Sequence, residues 1–405
     1  MADGYPNRVL SMIVLWTATG LLAWVYLGYP VVVAVLARLA PWRPRPSEPA
    51  PSLSVAIAVH DGAPVIAERI ADAFAQAVDG VRIVEVLVGS DGSGDGTDRI
   101  VAELATREPR LRLLALPRGG QTPTQDALFR AATAEVVVLT DAETRFAPGC
   151  LAALAEAFRD PRVGAATGRL EWRDEGATAT SRNEGLYWRY ERRVRELESR
   201  AGCLTAVTGA LLAVRRTSYR PVPATASMDH LLPLYVREAG GAVVYVAGAV
   251  ATDRPISGLR EQFRNRTRTA TRGIRANLSM VGRLAPWRAP RAALAIWSHK
   301  LLRWATPWLV LAALLAGLAE TARGSAAGTA GALGAAVVGT IVLGALAAAL
   351  GQLLASSGRR PPRPLAFARA FGIVNLAFAR AWLDVLRGRR IEAWSGLEWE
   401  RPGGG

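Results

Sequence analysis

An uncharged and largely apolar segment runs from Val9 to Ala37, between Arg8 and Arg38. A helix needs about 20 apolar residues to cross the hydrocarbon core of a bilayer, so this segment predicts a membrane-spanning helix. A cleaved signal peptide is the alternative, but the segment is too long for one and no small-residue cleavage site precedes Arg38. Two more apolar segments, Leu301–Ala319 and Gly324–Gly358, predict a second and a third span.

Arginine residues follow the first and the third of these segments, whereas the connection between the second and third contains only Glu320 and Arg323 as charged residues. These arginines are Arg38, Arg43 and Arg45 after the first segment and Arg359, Arg360 and Arg363 after the third. Positive residues are retained on the cytoplasmic side of membranes. The distribution therefore predicts a multi-pass protein of the plasma membrane whose large middle segment and C-terminus are cytoplasmic.

Two further segments combine apolar with charged residues. Leu365–Leu386 is interrupted by Arg369, Arg380 and Asp384, which predicts a helix in the membrane interface rather than a fourth span. The stretch 287–304 mixes tryptophan with basic residues and predicts a helix at the level of the lipid headgroups. The basic residues of this stretch are Arg288, Arg291, Lys300 and Arg303, the last of which is close enough to a span end to reach the interface.

The composition agrees with a membrane protein. Of the 405 residues 51% are hydrophobic, more than one soluble core normally needs, and the net charge is +15. Much of this positive charge is directed at the membrane by position. No compact basic patch with interleaved aromatic residues remains in the middle segment, so the sequence predicts no nucleic-acid partner.

The middle segment, from about residue 50 to 280, follows a Pro-rich linker and alternates short apolar runs with amphipathic helices. This alternation is typical of a layered α/β domain with a mostly parallel sheet. The predicted strands are Ser54–Val59, Val84–Gly89, Glu135–Thr140, Val163–Thr167, Leu204–Val214 and Val243–Ala247, and the predicted helices are Ala63–Ala77 and Gly96–Thr106. Ligands of such sheets bind at the carboxyl ends of the strands.

Acidic residues follow three of the predicted elements. Asp91 lies in a Gly-rich turn and can accept hydrogen bonds from a base or ribose, although a plain connecting turn is equally consistent with this sequence. Asp141 and Glu143 point to the same side if the strand remains extended, and could then hold one divalent cation; a solvated acidic turn is the alternative. Asp229 precedes an apolar helix and could be its N-cap or a catalytic base.

Several short motifs follow one another in a recognisable order. They are Tyr26-Leu27-Gly28-Tyr29-Pro30, Ser90-Asp91-Gly92-Ser93, Arg118-Gly119-Gly120, Asp141-Ala142-Glu143, Tyr187-Trp188-Arg189-Tyr190-Glu191 with Thr208-Gly209-Ala210, Asp229, and Asn265-Arg266-Thr267-Arg268-Thr269. Their order and context resemble the membrane-bound members of glycosyltransferase family 2, which include cellulose, chitin and hyaluronan synthases and non-processive bacterial relatives. The resemblance covers nearly the whole chain.

The resemblance implies a GT-A, Rossmann-like nucleotide-diphospho-sugar transferase domain, with a mixed and mostly parallel sheet, flanked by transmembrane helices. The implied activity is inverting, metal-dependent transfer of a sugar from a nucleotide-sugar, with a UDP-sugar expected, to a glycan or lipid-linked acceptor. The implied donor-binding residues are Asp91, Gly92, Ser93, Arg118, Gly119 and Asp141, and Asp141 with Glu143 would hold Mg²⁺ or Mn²⁺. The implied catalytic residues are Asp229, Arg266 and Arg268, and the acceptor-side residues are Tyr187, Trp188, Gly209 and Asn265.

The chain also departs from the family pattern. Substituted positions are His60-Asp61-Gly62 for Asn-Glu-Glu, Gln121 for Lys, Asp126 for Asn, Glu143 for Asp, Met228 for an acid, Asn265 for Gln and Thr269 for Trp. The changes at Asn265 and Thr269 favour a non-processive enzyme over a polysaccharide synthase. A catalytically silent relative that binds a nucleotide-sugar or a partner is the hypothesis from another class.

The predicted organisation has six parts. They are an anchor (1–40), a Pro-rich linker (41–52), a cytoplasmic glycosyltransferase domain (53–282), an interfacial helix (283–300), two transmembrane helices (301–358) and a cytoplasmic or interfacial C-terminal segment (359–405).

Overall fold

A computed structural model describes residues 5–77, 80–172, 179–253, 258–323 and 329–389. Within these ranges the chain divides into two compact units. The sheet unit contains residues 43–172 and 204–253, and the helical unit contains residues 5–42, 179–203 and the described residues from 258 to 389.

The α-helices of the described residues are, in chain order, α1 (Tyr5–Ala23), α2 (Tyr29–Leu39), α3 (Ile66–Phe74), α4 (Thr97–Ala105), α5 (Gln121–Ala131), α6 (Cys150–Ala157), α7 (Ala179–Ala201), α8 (Met228–Glu238), α9 (Leu259–Met280), α10 (Pro290–Ala295), α11 (Leu302–Trp304), α12 (Thr306–Ala322), α13 (Thr329–Ser356) and α14 (Arg363–Leu386). π-Helical turns at Trp24–Gly28 and Ile296–Leu301 join α1 to α2 and α10 to α11, and a 3₁₀ turn spans Arg216–Ser218.

The sheet unit contains an eight-stranded sheet in the order β3-β2-β1-β4-β7-β6-β8-β5. The strands are β1 (Leu53–Val59), β2 (Ile83–Asp91), β3 (Leu111–Leu116), β4 (Val136–Asp141), β5 (Arg145–Phe146), β6 (Val163–Trp172), β7 (Leu212–Arg215) and β8 (Ala242–Asp253). The first four strands pair with one another in parallel, β7 is antiparallel to both of its neighbours, β6 is parallel to β8, and β5 is antiparallel to β8. The α/β fold with a mixed, mostly parallel sheet is confirmed.

Strands β1, β2 and β4 have mostly apolar sequences. Every residue of β1 is buried, as is nearly every residue of β2 and β4. A parallel strand that is covered by helices on both faces has no polar face, so its sequence is a continuous apolar run. These strands begin and end within one or two residues of the predicted bounds.

Elsewhere the strands differ from the prediction. Leu204–Val214 predicted one strand, but only Leu212–Arg215 is extended, because the chain turns between Thr208 and Leu211 before it enters the sheet. Strand β3 was not predicted. Its sequence, Leu-Arg-Leu-Leu-Ala-Leu, is rich in Leu, a helix former, and becomes a strand by pairing with β2.

The helical unit contains the candidate membrane spans. Among the described residues three helical segments are long and apolar enough to cross a membrane, namely Val9–Leu39, Gly331–Ser356 and Arg363–Leu386. The Pro290–Trp304 and Thr306–Ala322 segments, which meet at an angle of 62°, make a fourth if they form one bent span. The segment that predicted an interfacial helix near the C-terminus therefore lies in a helix that also has the length and composition of a span.

The predicted interfacial helix at 283–300 has a different structure. Residues 281–289 form turns, and the helix begins at Pro290, a residue that is favoured at the first position of a helix. It continues past residue 300 to Trp304. The interpretation of Lys300 and Arg303 as headgroup-facing residues is wrong, because both side chains are buried within the protein.

Lys300 and Arg303 belong to a buried ionic cluster with α7. Arg303 Nη1 donates to Glu191 Oε2, and Lys300 Nζ lies 3.8 Å from Glu191 Oε1. His299 lies between two acids, with Nδ1 2.7 Å from Glu198 Oε1 and Nε2 3.3 Å from Glu191 Oε2. Burial alone would raise the pKa of Glu191, but these cations outweigh it and hold the pKa well below its ordinary value. The cluster thus joins α7 to the helix that precedes the 62° bend.

The cluster predicts that Glu191→Ala strongly destabilises the helical unit. The substitution leaves the cationic side chains buried without their acid, and breaking a buried ion pair from one side costs about 3–5 kcal/mol. Thermal unfolding in detergent measures the effect as a lower melting temperature.

The matched control is Glu196→Ala on the same helix. Glu196 is 27% exposed and pairs with Arg193, and such a surface pair contributes about 1 kcal/mol or less. Equal melting temperatures for the two variants would contradict a stabilising role for the cluster.

Candidate active site

The carboxyl ends of β3, β2, β1 and β4 meet at one edge of the sheet. Across this edge Val59 pairs with Ser90, and Ala58 pairs with Asp141. Asp91 and Asp141 thus end the two strands that flank β1, and two strand spacings of about 4.8 Å separate these strands by about 10 Å. β2 and β3 lie on one side of β1 and β4 lies on the other, so the strand order reverses direction at β1. The topological switch point of the sheet therefore lies between β1 and β4.

Asp91 holds the loop that follows β3. Its side chain has no exposed surface. Oδ1 accepts hydrogen bonds from the backbone N–H of Gly119 at 2.6 Å and of Gly120 at 3.0 Å, and Oδ2 accepts from Arg118 Nη1 at 2.6 Å. The structure therefore brings Asp91, Arg118 and Gly119 into direct contact with one another. The Asp91 carboxylate thus stabilises the 118–120 turn, a structural role that the sequence did not indicate. Direct contact of Asp91 with a nucleotide stays a prediction.

Gly92 and Ser93 fix the geometry of the turn after β2. Gly92 has φ = +63°, and a Cβ atom there would lie 2.9 Å from the backbone nitrogen of Arg118. Only glycine adopts this conformation and allows this approach without strain. Ser93 Oγ lies 2.8 Å from Ser90 Oγ and accepts a hydrogen bond from the backbone N–H of Asp61 at 3.0 Å. The turn is thus joined to the loop after β1.

The loop after β1 contributes residues that sequence reasoning treated only as departures from a family pattern. His60 Nδ1 donates to the carbonyl oxygen of Asp91 at 2.9 Å, and Asp61 Oδ1 accepts from the backbone N–H of Gly94 at 2.8 Å. Asp61 has φ = +52°, a conformation that is uncommon outside glycine, asparagine and aspartate. The Asp-Gly pair at 61–62 was the available signal, since such pairs mark tight turns.

Asp141 and Glu143 do not lie on one extended segment. β4 ends at Asp141, and Ala142 and Glu143 form a turn, so the extended conformation on which a shared side-chain direction depended does not continue past Asp141. Both carboxylates are half-buried, and Gln121 Nε2 donates to Asp141 Oδ1 at 3.1 Å. Sequence reasoning missed this contact of Gln121.

The donor set at this turn fits a hard cation that arrives with its substrate. In the part of the chain that the structure describes, no three His, Cys, Asp or Glu side chains form a group that could hold a metal ion. Mg²⁺ typically uses one or two protein carboxylates and takes its remaining ligands from phosphates and water. Two neighbouring carboxylates therefore suit a cation bound to a diphosphate.

Asp229 is the second residue of α8 and is not its N-cap, a position occupied by Ser227. Its side chain is 22% exposed, and Oδ1 lies 3.2 Å from His230 Nδ1. A Cβ atom on Gly209 would lie 3.5 Å from Asp229 Cγ, so the structure brings together a predicted catalytic residue and a predicted acceptor-side residue. The first turn of a helix also favours a negative side chain. A catalytic role for this partly exposed carboxylate stays a prediction.

The N-terminus of α5 contacts all three acidic segments. In the motif Gly120-Gln121-Thr122, the backbone N–H of the glycine donates to Asp91 and the glutamine amide donates to Asp141. The threonine Oγ1 donates to the carbonyl oxygen of Ala226 at 2.8 Å, in the loop that leads to Asp229. One helix start therefore contacts Asp91, Asp141 and the loop that precedes Asp229.

The remaining predicted residues belong to the helical unit. Tyr187 and Trp188 lie on α7, and their side chains are outside the described residues. Asn265, Arg266 and Arg268 lie on α9, where Arg268 Nη2 donates to Asn265 Oδ1 at 2.9 Å. Their grouping with the three acids in one site stays a prediction, because the acids belong to the sheet unit.

Comparison with known proteins matches a family model to part of the chain and identifies the fold. The sequence model of Glycosyl transferase family 2 matches residues 54–220. An N-acetylglucosaminyltransferase of Mesorhizobium japonicum is 27% identical over 251 residues, which cover 58% of this chain and 59% of the relative. An N-acetylglucosaminyltransferase of Rhizobium sp. is 27% identical over 233 residues, 53% of this chain and 52% of that protein. The chain thus spans between half and two thirds of the length of these relatives.

A solved structure is similar over a longer range. The mannosyltransferase of Pyrobaculum calidifontis in complex with GDP-Man and Mn²⁺ superposes with a TM-score of 0.68 at 22% sequence identity, covering 93% of this chain and 100% of that one. At this identity the likeness establishes the fold, which is the GT-A glycosyltransferase fold.

The close approach of Gly92 to the 118–120 loop predicts the effect of adding a single methyl group. Gly92→Ala forces a left-handed φ on alanine and presses Cβ against the backbone at Arg118, which should cost about 2 kcal/mol. A melting temperature lower by about 4–8 °C measures this loss.

Gly94→Ala, two residues further on, is the matched control. A Cβ atom at Gly94 meets nothing within 4 Å, so its melting temperature should stay within about 1 °C of the wild type. If both variants melt like the wild type, the two loops do not depend on each other.

Proposed function

We propose, on the match of residues 54–220 to the sequence model of Glycosyl transferase family 2, that the protein is a glycosyltransferase. It transfers a sugar from a nucleotide-diphosphate sugar to an acceptor hydroxyl with inversion at the anomeric carbon. The observation that carries the proposal is the convergence of Asp91, Asp141 and the Asp229 loop on the N-terminus of α5. A transferase of this kind needs a donor-binding loop, a carboxylate that can hold a cation, and a separate base.

The donor end of the site uses the strand ends. The loop closed by Asp91 presents Arg118 and Gly119 beside the switch point of the sheet, where nucleotides bind in folds of this class. Asp141 and Glu143 would hold Mg²⁺ or Mn²⁺, which when bound neutralises charge on the diphosphate as the sugar departs. Arg266 and Arg268 would donate charge-assisted hydrogen bonds to the departing diphosphate.

Asp229 would act as the general base. It accepts the proton of the acceptor hydroxyl while that oxygen attacks the anomeric carbon from the face opposite the diphosphate, which inverts the configuration. Gly209 supports this assignment, because a residue without a side chain leaves the space beside Asp229 open to an acceptor.

A UDP-sugar is the donor that we propose. The two relatives are named N-acetylglucosaminyltransferases, so UDP-N-acetylglucosamine is the first compound to test. GDP-mannose is the second, because the neighbour of the same fold was solved with it. The acceptor is a glycan or a lipid-linked saccharide, and transfer is non-processive.

We place the reaction at the cytoplasmic face of a bacterial plasma membrane. The apolar helices of the helical unit support a multi-pass protein, and Leu343, Leu346 and Leu353 of α13 are 61–68% exposed, as lipid-facing residues would be. The arginines that flank the spans support the orientation.

The base assignment predicts that Asp229→Asn lowers kcat by about 10²–10⁴-fold with little change in the KM for the donor, because asparagine cannot accept the proton. Release of the nucleoside diphosphate by the purified full chain in detergent measures it. Glu238→Gln, on the same helix but paired with Arg220 at the surface, should retain full activity. Unchanged turnover in Asp229→Asn would exclude this residue as the base, and no release by the wild type with any donor would favour a silent binding protein.

The cation assignment predicts that chelation with EDTA abolishes release and that Mn²⁺ or Mg²⁺ restores it. Asp141→Asn should need at least about ten times more Mn²⁺ for half-maximal activity, since an amide oxygen binds a hard cation more weakly than a carboxylate does. Full activity in EDTA would contradict a metal-dependent mechanism.

A further inference from the structure

Arg69 is a fully buried cation on α3, directly behind the turn that contains Asp141 and Glu143. Its side chain has no exposed surface. Burial lowers the pKa of Arg69 to about 10, against the opposing effect of Asp72, so the guanidinium remains charged at neutral pH. Arg69 and Asp72 are three residues apart on the same helix and form an ion pair.

The guanidinium of Arg69 holds the beginning of the turn. Nε donates to the carbonyl oxygen of Asp141 at 3.3 Å, and Nη2 donates to Thr140 Oγ1 at 3.1 Å. Nη1 donates to Asp72 Oδ2. All three nitrogens of this group are therefore used, and two of them contact the last two residues of β4.

The same pair holds the end of the turn. The backbone N–H of Phe146 donates to Asp72 Oδ2 at 3.1 Å, and Arg69 Cζ lies 4.1 Å from the centre of the Phe146 ring. Such a cation–π contact is strongest where water is excluded. Arg69 and Asp72 thus contact both Asp141 and Phe146, the residues at the two ends of the turn.

A second arginine completes the support. Arg145 Nη1 donates to the carbonyl oxygens of Ala142 at 3.0 Å and Thr144 at 3.2 Å, and Nη2 pairs with Glu68 Oε2 at 2.9 Å. Each arginine therefore has its own acid on α3. The two arginines and their two acids therefore add no net charge beside the turn.

We propose that the Arg69–Asp72 pair is a positioning device for the cation site, which fixes the separation and direction of the Asp141 and Glu143 carboxylates by clamping both ends of the 141–146 turn. This inference rests on the proposed metal-dependent transfer and assigns to it two residues that do not touch the substrate. Replacing a residue that orients the metal ligands without contacting the metal itself typically changes metal affinity by about 10–100-fold.

The test measures Mn²⁺ binding directly, by electron paramagnetic resonance of free Mn²⁺ in titrations of the full chain in detergent with saturating UDP. Arg69→Met should raise the Kd for Mn²⁺ by about 10-fold or more, because the turn loses its contacts at both ends. Arg69→Lys keeps the charge but not the three-way donor geometry, and should give an intermediate Kd.

Two controls separate positioning from general destabilisation. Glu85→Gln disturbs a buried carboxylate that accepts from Ser54 and Thr133 in the same sheet, and should lower the melting temperature while leaving the Kd for Mn²⁺ unchanged. Arg99→Met removes an arginine that is 72% exposed on α4 and should change neither quantity.

The inference is overturned if folded Arg69→Met binds Mn²⁺ like the wild type, or if Glu85→Gln raises the Kd as much as Arg69→Met does. Should Arg69→Met fail to fold, Arg69→Lys and Phe146→Leu decide, and wild-type Kd values in both overturn it. Failure of the proposed function has a different signature: the wild type then binds no Mn²⁺ in the presence of UDP, or its binding survives Asp141→Asn.

Discussion

The buried carboxylate of Asp91 is the interaction on which the arrangement of the site depends. An ionised group without exposed surface is stable only if hydrogen bonds replace its hydration. Here two backbone N–H groups and the Arg118 guanidinium supply them, and all three donors come from one turn. Satisfying Asp91 therefore places the start of α5 at the end of β2. The contacts of Gln121 and Thr122 with the other two acidic segments follow from that placement.

The part of the fold that the sequence predicted is the part that local patterns determine. β1 and β4 are continuous apolar runs because they are buried on both faces, and such runs have recognisable ends. The sequence therefore also located the acids at strand ends, such as Asp141 at the end of β4. Strand β3 was not predicted, because pairing with β2 decides it, and the sequence left open whether the chain stays extended or turns at Glu143. The supporting contacts of Gln121 and Arg69 have no local signal at all.

In the helical unit, too, contacts between distant parts of the sequence decide where charged residues lie. Lys300 and Arg303 stand among tryptophans, which is typical of a helix at the membrane surface. Their partner Glu191 lies more than a hundred positions earlier in the chain, as the 112-residue separation from Arg303 shows, so no sequence window contains both members of the pair. Because of such long-range ionic contacts, a charged residue that its local sequence predicts to be exposed can be buried. The resulting cluster is internal, and its charges cannot be counted toward membrane attraction.

The path of the chain between the two units bears on the proposed reaction. α7 belongs to the helical unit, although strands of the sheet unit precede and follow it, and its acids fix it to the helix before the 62° bend. The chain then returns to the sheet unit, where Gly209 lies beside Asp229. Under the proposed function, the donor is therefore positioned by strand ends and the loops that follow them, and the base by the start of α8, whereas the predicted acceptor-side residues Tyr187 and Trp188 lie on α7 in the helical unit.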